Sequence, residues 1–77
     1  MKEEIIKKFG TNSTGTDEWA NDDIEFPEVE LSDGSRCCSF YTYGGSINIL
    51  DDQGMDNDFE EYSIEDQTLL YNAIMGK

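Results

Sequence analysis

From Glu28 to Tyr62 the chain reads as short runs rich in strand formers, with apolar and polar positions alternating and a turn signal closing each run. EVELS (28–32) alternates, and the Asp33-Gly34 pair behind it is a two-residue hairpin signal. RCCSFYTY (36–43) follows, then a second two-residue turn at Gly44-Gly45, then SINIL (46–50). The next break, DDQG, suits a three-residue loop with Gly54 at the left-handed position, and MDNDFEEY (55–62) makes a fourth strand.

These turns predict a register. A two-residue turn at Asp33-Gly34 sets Leu31 opposite Arg36, Val29 opposite Cys38 and Pro27 opposite Phe40. One at Gly44-Gly45 sets Phe40 opposite Ile49 and Thr42 opposite Ile47. A three-residue loop at 52–54 sets Ile47 opposite Phe59 and Asp51 opposite Met55. Residues directly opposite share a sheet face. One face therefore gathers Val29, Leu31, Cys38, Phe40, Ile47, Ile49, Met55 and Phe59, an agreement that a one-residue slip at any turn would spoil.

On either side of this region the period lengthens. KEEIIKKF (2–9) predicts a short helix with Ile5, Ile6 and Phe9 on one side and Gly10 at its end. Ser63 is placed to cap a helix over 64–75, with Glu65 and Asp66 in the first turn favourable to the helix dipole. Ile64, Leu70, Tyr71, Ile74 and Met75 form its apolar stripe, and Gly76 ends it. Residues 10–27 are loop-rich; 18–26 reads either as a loop or as a helical turn that tucks Trp19 under the sheet, and Pro27 holds Phe26 extended. The expectation is one small α+β domain over residues 1–77. It is a four-stranded antiparallel β-meander with the C-terminal helix packed on one face and a short N-terminal helix.

Charge changes this picture more than composition does. The chain carries −13, and between Phe9 and Asp66 it has sixteen acidic residues against a single base, Arg36. Self-repulsion on that scale costs stability, and solubility is met with less. With no basic patch, direct binding to nucleic acid or to an anionic membrane is not expected. The first nine residues are charged and no apolar run approaches the roughly eighteen residues a membrane helix needs, so neither a secretory leader nor a membrane helix is expected, and the expected location is cytoplasmic. Cys37 and Cys38 are adjacent; in a strand they point to opposite faces, which makes them two reduced thiols rather than a disulfide.

Several chemistries fail on this sequence. There is no histidine, hence no usual general base and no common zinc ligand. An EF-hand register with Gly54 at loop position 6 places Ile49 at position 1, where a ligand is required. A cysteine nucleophile would lack an imidazole and sit in a field that raises its pKa. No glycine-rich phosphate loop is present, since Gly44-Gly45 lies in a hairpin. No catalysis, cofactor or structural metal is expected; a weak divalent-cation site at Asp51, Asp52, Asp56 and Asp58 stands as a minor alternative.

The face opposite the apolar one is the candidate site. By the same register it carries Glu28, Glu30, Cys37, Ser39, Tyr41, Tyr43, Ser46, Asn48, Asp56, Asp58 and Glu60. Same-face residues lie about 6.6 Å apart along a strand. Asp56, Asp58 and Glu60 thus form one row of carboxylates, Glu28 and Glu30 a second, with tyrosines between. Spaced anions with aromatic patches present the chemistry of a nucleic-acid backbone to any groove that gathers lysine and arginine. The expected partner-binding residues are Glu28, Glu30, Tyr41, Tyr43, Asp56, Asp58 and Glu60.

In charge and size, though in no motif, the chain is similar to small phage-type inhibitors of anti-CRISPR or anti-restriction character that occupy nucleic-acid sites. That similarity implies a non-catalytic protein, monomer or homodimer, that inhibits or regulates a basic nucleic-acid-binding protein. The alternative is a small accessory module whose charge serves solubility and protects sheet edges. Its contacts would run through Trp19, Tyr41 and Tyr43, including a homodimer through the tyrosine face.

Overall fold

The computed structural model describes residues 1–13 and 23–76. In chain order they form α1 (Lys2–Phe9), β1 (Ile24–Glu30), β2 (Arg36–Tyr43), β3 (Ser46–Asp51), β4 (Asp56–Asp58), a 3-10 turn (Phe59–Glu61) and α2 (Ile64–Met75). The strands make one antiparallel sheet in the order β1-β2-β3-β4, a meander with the helices on one face. The expectation for Trp19 lies outside the described residues. Residues 24–26 are strand, so β1 starts inside the stretch read as loop-rich. Among the described residues no helix is long and apolar enough to cross a membrane.

Two of the three turns follow the predicted register. Gly44 and Gly45 have φ of 59° and 83°, the pair of positive values that a tight hairpin turn of this twist demands. Around them Tyr43 pairs with Ser46, Thr42 with Ile47 and Phe40 with Ile49. At the next turn Leu50 pairs with Asp56, Ile49 with Asn57 and Asn48 with Asp58. The Asp51 carboxylate shapes that loop by accepting from the backbone N–H groups of Gln53 and Met55, each at 2.9 Å.

The first hairpin departs from expectation. Glu30 pairs with Arg36 and Val29 with Cys37, so the loop is 31–35 and the register is one residue off. Asp33 causes this locally: its carboxylate accepts from the Ser35 N–H at 3.0 Å and the Ser35 hydroxyl at 2.5 Å, an Asx turn that uses Ser35 within the loop. As a correction, Cys37 is the buried thiol and Cys38 the exposed one. The slip does not spread, because a β-bulge follows: Cys37 pairs with Asp51 and Ser39 with Leu50, leaving one extra residue in β2. Cys37 and Phe40, three apart, therefore both face the core. In β1 the pairing is irregular between Glu25 and Val29, around Pro27, which has no N–H to give to a ladder.

The core comprises Ile5, Phe26, Leu31, Cys37, Phe40, Ile47, Ile49, Phe59, Leu70 and Ile74. Phe40 is central, with the Phe9 ring edge-on at 5.2 Å and Phe26 at 6.0 Å between centroids. Beyond Ile24 the edge of β2 is taken up by residues 11–13. Ser13 N donates to the Thr42 carbonyl at 3.0 Å, Thr42 N donates to Ser13 Oγ at 2.8 Å, and Gly45 N donates to the Thr11 carbonyl at 2.9 Å. Thr42 is thus fully buried yet satisfied.

Three further expectations need correcting. Met55, expected inward, is 60% exposed, because β4 starts only at Asp56 and the loop before it wraps the Asp51 carboxylate. The fourth strand ends at Asp58, whose side chain accepts from Glu60 N at 2.9 Å and caps the 3-10 turn; Phe59 remains buried within that turn. Ile64 is 71% exposed. The buried set on α2 is Asp66, Leu70 and Ile74, spaced by four, and Ile64 lies roughly 200° from Asp66 around the helix.

Asp66 is more than a helix-dipole residue. Only 5% exposed, it accepts from Ser32 N and Ser32 Oγ, each at 2.9 Å, and so fastens the 31–35 loop to the start of α2. Ser63 caps the same turn through Asp66 N at 3.2 Å.

An acidic, tyrosine-bearing sheet face

Alternation along β2 and β3 sends Phe40, Thr42, Ile47 and Ile49 under the helices and Ser39, Tyr41, Tyr43, Ser46, Asn48 and Leu50 to the outer face. Across the sheet the outer rows read Glu25–Ser39–Leu50–Asp56 and Tyr41–Asn48–Asp58. Of the expected residues, Tyr41, Tyr43, Asp56 and Asp58 come together on this face, and Glu28 and Glu30 lie at its β1 end. Glu25 is an addition. Its alternation with Phe26 ahead of Pro27 was the signal for it.

Tyr41 organises the centre. Its hydroxyl donates to Asp56 Oδ2 at 2.6 Å. The two residues stand on β2 and β4, and strands are about 4.8 Å apart, so the phenol ring lies across β3 instead of standing away from the sheet. The hydrogen bond to the Asp56 carboxylate, then partial burial, then the charges of Asp56 and Asp23 push the Tyr41 hydroxyl up to about 12. Asp23 thus adds its field from the β1 side, while Asp58 faces Asn48 in Tyr41's own row.

The remaining expected residues are engaged differently. Arg36 Nη1 is 4.0 Å from Glu28 Oε1 and Nη2 is 4.0 Å from Glu30 Oε2, so one of the two charges at that end of the face is offset from within. Tyr43 is 65% exposed beside the Gly44-Gly45 turn. Glu60 is a correction: it belongs to the 3-10 turn and not to the strand row, and its carboxylate bonds Lys2 Nζ of α1. Cys37, placed on this face by the sequence register, is in the core. Burial, first of all, raises its thiol above the ordinary range, and the Tyr62 hydroxyl is its hydrogen-bonding neighbour.

The carboxylates of the loop behave as structural acceptors. Asp51 is held below the usual carboxylate range by its backbone hydrogen bonds, that from Met55 foremost. Asp56 and Asp58 are engaged by Tyr41 and by Glu60 N. Among the described residues no group of three or more His, Cys, Asp or Glu side chains converges so as to hold a metal ion.

Fold and face together define a small α+β domain with one helix-covered sheet face and one acidic, tyrosine-bearing face. No protein-family model matches the chain, and no curated protein or solved structure matches it either.

Proposed function

We propose that this protein is a non-catalytic inhibitor or regulator that binds a basic, nucleic-acid-handling protein through its outer sheet face. The observation that carries the reading is the surrounding of Tyr41 by the carboxylates of Asp23, Asp56 and Asp58, in a segment whose single base, Arg36, is occupied at the far end. A groove lined with lysine and arginine to meet phosphates meets the same sign of charge here, with association steered by the field of the whole chain. The tyrosines supply the contact area that carboxylates lack. The reading needs the face free, so the protein acts as a monomer or as a homodimer through another surface. A cytoplasmic location accords with two free thiols.

The competing account is that the charge protects the edges of the sheet. Both edges have protection of another kind: β1 carries Pro27 and an irregular pairing, and β4 is three residues long. The grouping of carboxylates about Tyr41 is left over by that account and used by this one.

A competition experiment tests the reading. The nucleic-acid-binding protein that this chain retains at low salt is loaded with its labelled DNA or RNA, and this protein is added. Release of the nucleic acid is expected, with the effect lost near 1 M salt, where the Debye length is about 3 Å. A nucleic acid that stays bound, or displacement indifferent to salt, contradicts the proposal.

A further inference from the structure

We infer that the cation received at the centre of this face is an arginine guanidinium laid against the Tyr41 ring beside Asp56 and Asp58, and that the Glu28–Glu30 end takes no part. The inference rests on the function proposed above and gives the partner its chemistry. A ring whose Cα stands on β2 and whose hydroxyl reaches a carboxylate on β4 lies across β3 on the outer side of the sheet. A guanidinium is planar and weakly hydrated, stacks on aromatic faces, and forks onto carboxylates with two N–H groups; an ammonium is compact, strongly hydrated and does neither as well. Asp56 is engaged by Tyr41 through Oδ2, and among the described residues Oδ1 has no donor, so a carboxylate oxygen waits beside the ring.

The other end of the face offers no such opening. Arg36 stands 4.0 Å from both Glu28 and Glu30, and an incoming cation would meet its repulsion there. Tyr41 also needs no ordering on binding, because its hydroxyl is already fastened; a side chain fixed in advance lowers the entropy cost of association.

The test uses hexa-arginine and hexa-lysine peptides, equal in length and charge, titrated calorimetrically into the full chain at low salt. Hexa-arginine is expected to bind about tenfold more tightly than hexa-lysine. Tyr41→Leu and Asp56→Asn, each checked for an intact fold by circular dichroism, are expected to remove most of that difference. The pair Glu28→Gln with Glu30→Gln is expected to keep it. Equal affinity for the two peptides, or an arginine preference that survives Tyr41→Leu, overturns this inference and leaves the acidic face as the binding surface. Binding of neither peptide overturns the inference and the proposed function together.

Discussion

The hydroxyl of Tyr41 and Oδ2 of Asp56 are 2.6 Å apart, which joins β2 to β4 by a side-chain hydrogen bond passing over β3. The bond is charge-assisted, the stronger kind, and it lies on the face that carries the charge. It holds an aromatic ring and a carboxylate in fixed relation, so the centre of that face is set before any partner arrives.

This bond has a consequence at alkaline pH. The ordinary tyrosine value is about 10, and Tyr41 in the fold is raised to about 12. The neutral phenol is the donor, so its stabilising contribution is complete below pH 10 and is lost as pH rises from 10 through 12. Tyr62 also titrates late, through burial first and then Cys37 and Asp51. Phenolate absorbance against pH is expected to show both late steps. Asp56→Asn should move the Tyr41 step back toward 10 and leave that of Tyr62 in place.

Asp66 holds the first hairpin loop onto α2. Asp66→Ala removes two hydrogen bonds that the buried carboxylate accepts from Ser32, and is expected to cost about 1–3 kcal/mol in urea denaturation. Removing one negative charge from a chain at −13 returns a small part of this. Ser32→Ala should cost less, and the double variant should cost less than the sum of the two, because both act through one contact.

The two thiols separate by burial. Cys38 is exposed and Cys37 lies in the core with its pKa raised. A thiol reagent is expected to label one site per native chain quickly and the second only at the rate of unfolding. Cys38→Ser should change stability by less than about 0.5 kcal/mol, whereas Cys37→Ala, which empties a packed position, should cost about 1 kcal/mol or more.

How much of this was legible in the sequence depended on the kind of turn. At Gly44-Gly45 and at 52–54 the chemistry of the turn fixes its length, and the pairings of Phe40 with Ile49 and Asn48 with Asp58 follow from counting. Tyr41, Asp56 and Asp58 could be placed on one face for that reason. At Asp33-Gly34 the hairpin signal was overridden by Ser35, which joins the Asp33 turn and lengthens the loop. The resulting slip is then cancelled for Phe40 by the bulge after Cys37, and alternation cannot reveal two irregularities that offset each other. Glu60 left its strand because Asp58 is a better cap than a ladder residue, and Asp66 entered the core because a loop serine met it there. Ser32 lies far from Asp66 in sequence, so local pattern carried no sign of that contact.

Salt should stabilise the isolated protein. With a net charge of −13, screening relieves self-repulsion, and the melting temperature is expected to rise between 10 mM and 1 M sodium chloride. Millimolar calcium at matched ionic strength should add nothing, since among the described residues no three carboxylates converge to hold a metal ion. A calcium-specific rise would mean selective binding to the native state.

The most direct measurement is a paired capture from nuclease-treated lysate of the cells in which the protein acts. One bait is the native chain; the other carries Tyr41→Leu, Asp56→Asn and Asp58→Asn. Asparagine at 58 keeps a side-chain acceptor for Glu60 N, so the second bait retains its cap. The expected result is a nucleic-acid-binding protein held by the native bait, released as salt is raised, and missing from the variant. The same proteins on both baits, or none on the native one, would contradict the account.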